Sequence, residues 1–139
     1  MYVPIRYEPQ YNSNNKLIAI QSISSEIPPQ VTKQTWKQNT LSHSTVITPE
    51  SAWPGIHMVE VVRSCPELCR FCLASYLTLP FRTHSSEEGL IPAIEKGLTV
   101  TNRLGLLGAS VTQHPQFMDL LEWLAGDSFN DIHLSISSV

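Results

Sequence analysis

The chain of 139 residues has little charge and few cysteines, and each of these features argues against a class of protein. Charged residues make up 15% and the net charge is −3, so no basic surface for a nucleic-acid backbone is expected. No apolar run reaches about 18 residues, so no membrane span is expected either. The N-terminus lacks the apolar segment of a signal peptide. Three cysteines cannot all pair within the chain, which disfavours a secreted disulfide scaffold and predicts a reducing cytoplasm.

Residues 1–50 are polar and have only weak hydrophobic patterning. Pro28 and Pro29 interrupt any helix, residues 16–20 resemble a short strand, and residues 43–49 resemble an extended segment. We expect a polar N-terminal extension or linker over residues 1–50, with one or two edge strands. A single domain is expected over residues 51–139.

The second part of the chain alternates between strand and helix patterns. Apolar runs predict strands over residues 56–62, 103–111 and 131–137. A helix is expected to begin at Ser85, where Ser85 and Glu88 have the spacing of a capping box, and to end near Gly97. A second helix is expected to open at His114–Pro115 and end at Gly126, with a core-facing stripe of Phe117, Leu120, Leu121 and Leu124.

This β-α-β-α-β order predicts an α/β fold with about three parallel strands joined by right-handed crossovers. Ligands bind at the carboxyl ends of such strands. The loops after residues 62, 108 and 136 all lie at that edge and are therefore the candidate site.

All three cysteines lie in the first of these loops, as Cys65, Cys69 and Cys72 with the spacing C-x3-C-x2-C. Thiolates are soft ligands suited to zinc and to iron–sulfur clusters. Three of them could hold a four-iron cluster with one iron open to a ligand, or a zinc ion with a further ligand. A third interpretation is a set of reduced or redox-sensing thiols, and spacing alone leaves all three open.

The motif resembles the signature of the radical SAM superfamily. Cys65-x3-Cys69-x2-Cys72 follows a buried strand and has an aromatic residue, Phe71, before the last cysteine. Residues 58–66, 80–82 and 106–115 resemble the branch of the superfamily that often carries a B12-binding domain. The resemblance covers roughly residues 43–139.

This resemblance implies a partial radical SAM (β/α) barrel and an enzyme. Cys65, Cys69 and Cys72 would bind a [4Fe-4S] cluster whose fourth iron chelates S-adenosylmethionine. Reductive cleavage would then yield a 5′-deoxyadenosyl radical. Phe71 would help to place the adenine, and Gly108, Ala109 and Ser110, standing where the family has a Gly-Gly-Glu-like motif, would contact the cofactor.

The resemblance also implies a reducing partner such as flavodoxin or ferredoxin and, in the full-length protein, cobalamin. We expect a truncated chain with little activity alone, because about three of the six barrel strands are represented; the substrate is unknown. One alternative is a methylthiotransferase-type radical SAM enzyme. Another is a non-catalytic remnant that binds zinc or a cluster.

Overall fold

The computed structural model describes residues 3–36 and 42–138, and these two stretches pack as separate units. Residues 42–50 pack with the second unit, whereas residues 3–36 form the first. The predicted division into an extension or linker over residues 1–50 and a domain over residues 51–139 stays a prediction.

The first unit is built around a β-hairpin. Strand β1 (Tyr7–Tyr11) pairs antiparallel with β2 (Leu17–Ser22). The strand predicted at residues 16–20 is confirmed over residues 17–20. The Asn12 side-chain oxygen accepts the backbone N–H of Lys16 at 2.9 Å, which closes the turn. Most side chains of both strands are exposed, so the hairpin contributes little to a core.

The second unit holds the three parallel strands that the sequence predicts. They are neighbours in the order β3-β6-β7, which is their order along the chain. In chain order the elements of this unit are β3 (His57–Glu60), β4 (Val62–Arg63), α1 (Leu73–Thr78), β5 (Arg82–Thr83), α2 (Ile91–Leu98), β6 (Arg103–Gly108), α3 (Phe117–Leu124) and β7 (His133–Ser138).

The core of this unit lies where the sheet packs against α2 and α3. Val59, Leu104 and Leu106 are fully buried on the strands, together with Ile94 from α2 and Leu120 from α3. The predicted stripe on the second helix is confirmed, because three of its four residues are buried and the fourth is partly buried against the core. Burial of these stripes is the main force that fixes the helices on the sheet.

Several predicted boundaries are wrong. The strand expected over residues 56–62 is interrupted at Val61, and the short β4 that follows pairs antiparallel with β5. Ser85 does cap a helical segment, since its hydroxyl accepts the Glu88 N–H at 3.4 Å, but the first turn is a π-helix over Ser86–Leu90. This turn places Pro92 at the tolerated start of α2.

The segment after β6 also differs from the prediction. Strand β6 ends at Gly108, and a 3-10 turn (Val111–Gln113) follows it. His114–Pro115 does not open α3, which begins at Phe117. Both ring nitrogens of His114 are engaged, since Nδ1 accepts the Gln116 N–H and Nε2 donates to a backbone carbonyl. His114 therefore has a structural role at this corner.

His57 joins the start of β3 to α2. Its ring is 98% buried and its Nε2–H donates to the Ala93 carbonyl at 3.0 Å, while Nδ1 has no hydrogen-bond partner. The ring lies against Gly97, where a Cβ atom would overlap it. Burial is the main cause that lowers the pKa of His57 below 6.5; the Ala93 bond acts in the opposite direction, and the charges of His43 and Lys96 lower it further. The ring is therefore held in its neutral form.

Candidate functional site

A cavity of about 640 Å³ opens at the carboxyl ends of β3 and β6. It is mostly apolar, and residues from both strands and from the segment before the first cysteine line it. They include Glu60, Arg63, Ser64, Leu107, Gly108 and Ala109. The parallel register explains this position, because Glu60 is paired with Leu107 at the edge of the sheet. The cavity lies where ligands bind in open parallel sheets.

The principal charged feature of this cavity is an ion pair between Glu60 and Arg63. Arg63 donates to both carboxylate oxygens, from Nε to Oε1 at 2.6 Å and from Nη2 to Oε2 at 2.5 Å. Arg63 also donates to the Ser42 hydroxyl at 3.0 Å. Burial alone would raise the pKa of Glu60, but the hydrogen bonds from Arg63 and Ser42 and the charges of Arg63 and His84 lower it below 4.5. The cavity wall thus carries an ionised carboxylate that is already paired.

Residues 42–44 belong to this cavity, and the sequence analysis did not predict them there. His43 forms an antiparallel bridge with Val59, and the backbone bonds Ser44 N to Met58 O and Glu60 N to Ser42 O are both 2.8 Å long. These residues therefore continue the sheet beside β3. The only signal in the sequence was the extended character of residues 43–49, which does not identify the partner strand.

The three cysteines lie in the loop between β4 and α1, beside the cavity. All three are free and partly exposed. Two loop residues have left-handed backbone conformations, Ser64 with φ of 71° and Leu68 with φ of 48°. Among residues 3–36 and 42–138, no three His, Cys, Asp or Glu side chains form a group that could hold a metal ion. The thiols are thus neighbours in the chain, but they do not converge on one point.

Cys72 is the residue immediately before α1. Its Sγ lies 3.7 Å from the Ser75 hydroxyl. The backbone N–H of Ser75 is the largest cause that lowers the pKa of the Cys72 thiol, followed by the Ser75 hydroxyl and the N–H of Ala74. These donors favour the thiolate, the form that binds metals.

The other predicted site residues lie in two places, at the end of β6 and inside the cysteine loop itself. Gly108 and Ala109 line the cavity, and Ser110 is buried just beyond them. Phe71 is 93% exposed, so its ring packs against little of the described chain. The structure therefore brings two of the four predicted cofactor contacts to the cavity, places Ser110 next to them and leaves Phe71 apart.

Comparison with known proteins identifies a distant relative that is itself uncharacterized. The chain is 32% identical over 92 residues to an uncharacterized protein of Methanocaldococcus jannaschii. The match covers 65% of this chain and 20% of that protein, so the chain spans about a fifth of the relative's length. No protein-family model and no solved structure matches the chain. Within the two described stretches, no helix combines the length and apolar content needed to cross a membrane.

Proposed function

We propose that this chain is the iron–sulfur part of a radical SAM-type protein, with Cys65, Cys69 and Cys72 as the ligands of a [4Fe-4S] cluster. The observation that carries the proposal is the placement of the only three cysteines, all free, in one loop beside the cavity at the carboxyl edge of the sheet. A loop at this edge is where the fold class places its ligands.

The donor set fits the proposed group in its chemistry. Three thiolates are the ligands that iron–sulfur clusters take, and a set of three leaves one iron free for a further ligand. The hydrogen bonds from Ser75 and Ala74 lower the pKa of Cys72, which favours the thiolate form of this ligand. Because the three thiols do not converge in this structure, cluster binding requires the loop to draw them together. When bound, the cluster supplies the electron for reductive cleavage of S-adenosylmethionine.

The residues of the chain would bind and orient the cofactor in the cavity. Gly108 and Ala109 line the cavity, and the methyl group of Ala109 is small enough to leave room for a ligand. Two hydrogen bonds to Glu60 fix the orientation of the Arg63 guanidinium group at the cavity wall. Cleavage of S-adenosylmethionine requires an electron donor of the flavodoxin or ferredoxin type. Cobalamin as a second cofactor and a cytoplasmic location are further parts of the proposal, which names no substrate.

Anaerobic reconstitution with iron and sulfide tests the ligands. We expect about four irons per chain, with the absorbance and electron paramagnetic resonance signals of a four-iron cluster. Cys65→Ala, Cys69→Ala and Cys72→Ala should each lose most of the iron. Thr112→Ala, an exposed change in the loop after β6, should keep it. Stoichiometric zinc without iron, or full iron binding in any cysteine variant, would refute the assignment.

Equilibrium dialysis with S-adenosylmethionine tests the second half of the proposal. Binding should require the reconstituted cluster and should weaken in Ala109→Val, because Ala109 lines the cavity and the larger side chain would narrow it. Equal binding by the reconstituted and the metal-free chains would contradict a role for the cluster in holding this cofactor.

A further inference from the structure

Two hydrogen bonds hold the middle of the segment between Cys65 and Cys69, one from α1 and one from the turn after β6. The Tyr76 hydroxyl, on α1, donates to the Leu68 carbonyl at 2.9 Å. Gln113, at the end of the 3-10 turn after β6, donates from Nε2 to the Glu67 carboxylate at 2.5 Å. Glu67 and Leu68 are adjacent in the chain, so both hydrogen bonds hold the same short part of the loop.

Leu68 needs such support because of its backbone conformation. Its φ of 48° lies in the left-handed region, which costs free energy for any residue with a Cβ atom. The Leu68 side chain is 41% exposed, so burial does little to fix this conformation. The Tyr76 bond to the Leu68 carbonyl and the Gln113 bond to the adjacent carboxylate are the contacts that offset this cost.

We propose that Tyr76 and Gln113 are positioning residues that set the conformation of the Cys65–Cys69 segment and join it to the segment after β6. The inference rests on the proposed function, because it gives these two residues a part in spacing the cluster ligands. It assigns them no contact with the cluster or with S-adenosylmethionine. Their effect passes through Glu67 and Leu68 to the cysteines on either side.

Alkylation of the metal-free chain by iodoacetamide, with the rate at each cysteine measured by mass spectrometry, tests the inference without any cluster. Loss of one bond should free the segment and raise the rates at Cys65 and Cys69 by about threefold to tenfold. Cys72 is held by its contact with Ser75 and should react at an unchanged rate. Tyr76→Phe removes only the hydroxyl, and Tyr11→Phe, at a similarly exposed tyrosine of the hairpin, is its matched control.

Exchange of the two partners at the other contact gives a test that a general loss of stability cannot mimic. Gln113→Glu places two carboxylates against each other and should raise the same two rates. Adding Glu67→Gln restores an amide–carboxylate pair in the reverse direction and should return the rates to those of the parent chain. Gln34→Ala, at an exposed glutamine of the first unit, is the control.

The two proposals fail in different ways. Unchanged rates at Cys65 and Cys69 in Tyr76→Phe and Gln113→Glu, or no recovery in the exchanged pair, would overturn the positioning role whether or not a cluster forms. If the rates change as expected and the parent chain also binds iron, both proposals stand. If the rates change but the parent chain binds no iron, the loop contacts stand and the proposed function fails.

Discussion

Gly97→Ala should destabilise the second unit, although alanine is normally the better residue in a helix. A Cβ atom at position 97 would overlap the ring atoms Cγ, Cδ2 and Nε2 of His57. The ring is 98% buried and meets the new atom close to its point of attachment, so a small rotation cannot relieve the overlap. The ring has to move away from α2, which breaks its 3.0 Å bond to Ala93.

The expected size follows from three contributions. Overpacking of a filled core costs about 1–3 kcal/mol. The broken hydrogen bond adds about 1 kcal/mol. Replacing glycine with alanine stabilises a helix by at most about 1 kcal/mol, which offsets part of this loss. The net loss in the free energy of unfolding should be about 1–3 kcal/mol, and each kcal/mol lowers the melting temperature of a domain of this size by roughly 4–8 °C.

Urea unfolding followed by circular dichroism measures this loss. Gly89→Ala is the control, since a Cβ atom there would meet its nearest neighbour at an ordinary 3.6 Å. In a His57→Ala background the space left by the ring admits the new methyl group, so Gly97→Ala should be neutral or stabilising there. A parent-like stability of Gly97→Ala, or an equal loss in both backgrounds, would refute the steric explanation.

Three further expectations concern single positions. Ser64→Gly should be more stable than Ser64→Ala by about 1 kcal/mol in urea unfolding. Both variants lose the 3.2 Å hydrogen bond to Ser75, but only glycine adopts the left-handed conformation without strain. Gly108→Ala should lower the free energy of unfolding by about 1–3 kcal/mol in the same assay. Its Cβ would lie 2.9 Å from the Val62 carbonyl oxygen, and this oxygen can move away only if the strand backbone moves with it. A neutral result would contradict this explanation. The pKa of His57 is lower in the folded chain, so the unfolded chain takes up the proton first as the pH falls. The free energy of unfolding should therefore decrease as the pH falls below about 6.5. His57→Gln should have a flatter pH dependence, and an unchanged one would show that another group is responsible.

The strands and helices of the second unit were predictable where one face of an element is buried. The apolar runs at residues 56–62 and 103–111 and the stripe from Phe117 to Leu124 reflect burial in one core, and burial imposes the periodicity that the sequence displays. Helix α1 had no such signal. Leu73 and Leu77 are exposed, so this short helix lacks a buried apolar stripe that could have revealed it.

The cysteine spacing was visible in the sequence, but the conformation of its loop was not. Two residues of the loop, Ser64 and Leu68, adopt left-handed conformations without being glycine, and neither residue type predicts this. The contacts that hold them come from residues up to 46 positions away, as in the bond between Glu67 and Gln113. Such contacts depend on the assembled sheet and cannot be inferred from a local pattern.

The loop is held at its two ends as well as at its middle, and this arrangement determines what can move. The Ser64 hydroxyl donates to the Ser75 carbonyl, so the residue before Cys65 is bonded to the first turn after Cys72. This bond is buried, whereas the Glu67 contact is exposed and exchanges more easily with water. The ends of the loop should therefore stay fixed while the segment between the first two cysteines adjusts. If the thiols converge on a ligand, the exposed contacts at Glu67 and Leu68 are the ones that have to break, while the buried Ser64 bond keeps the two ends of the loop together.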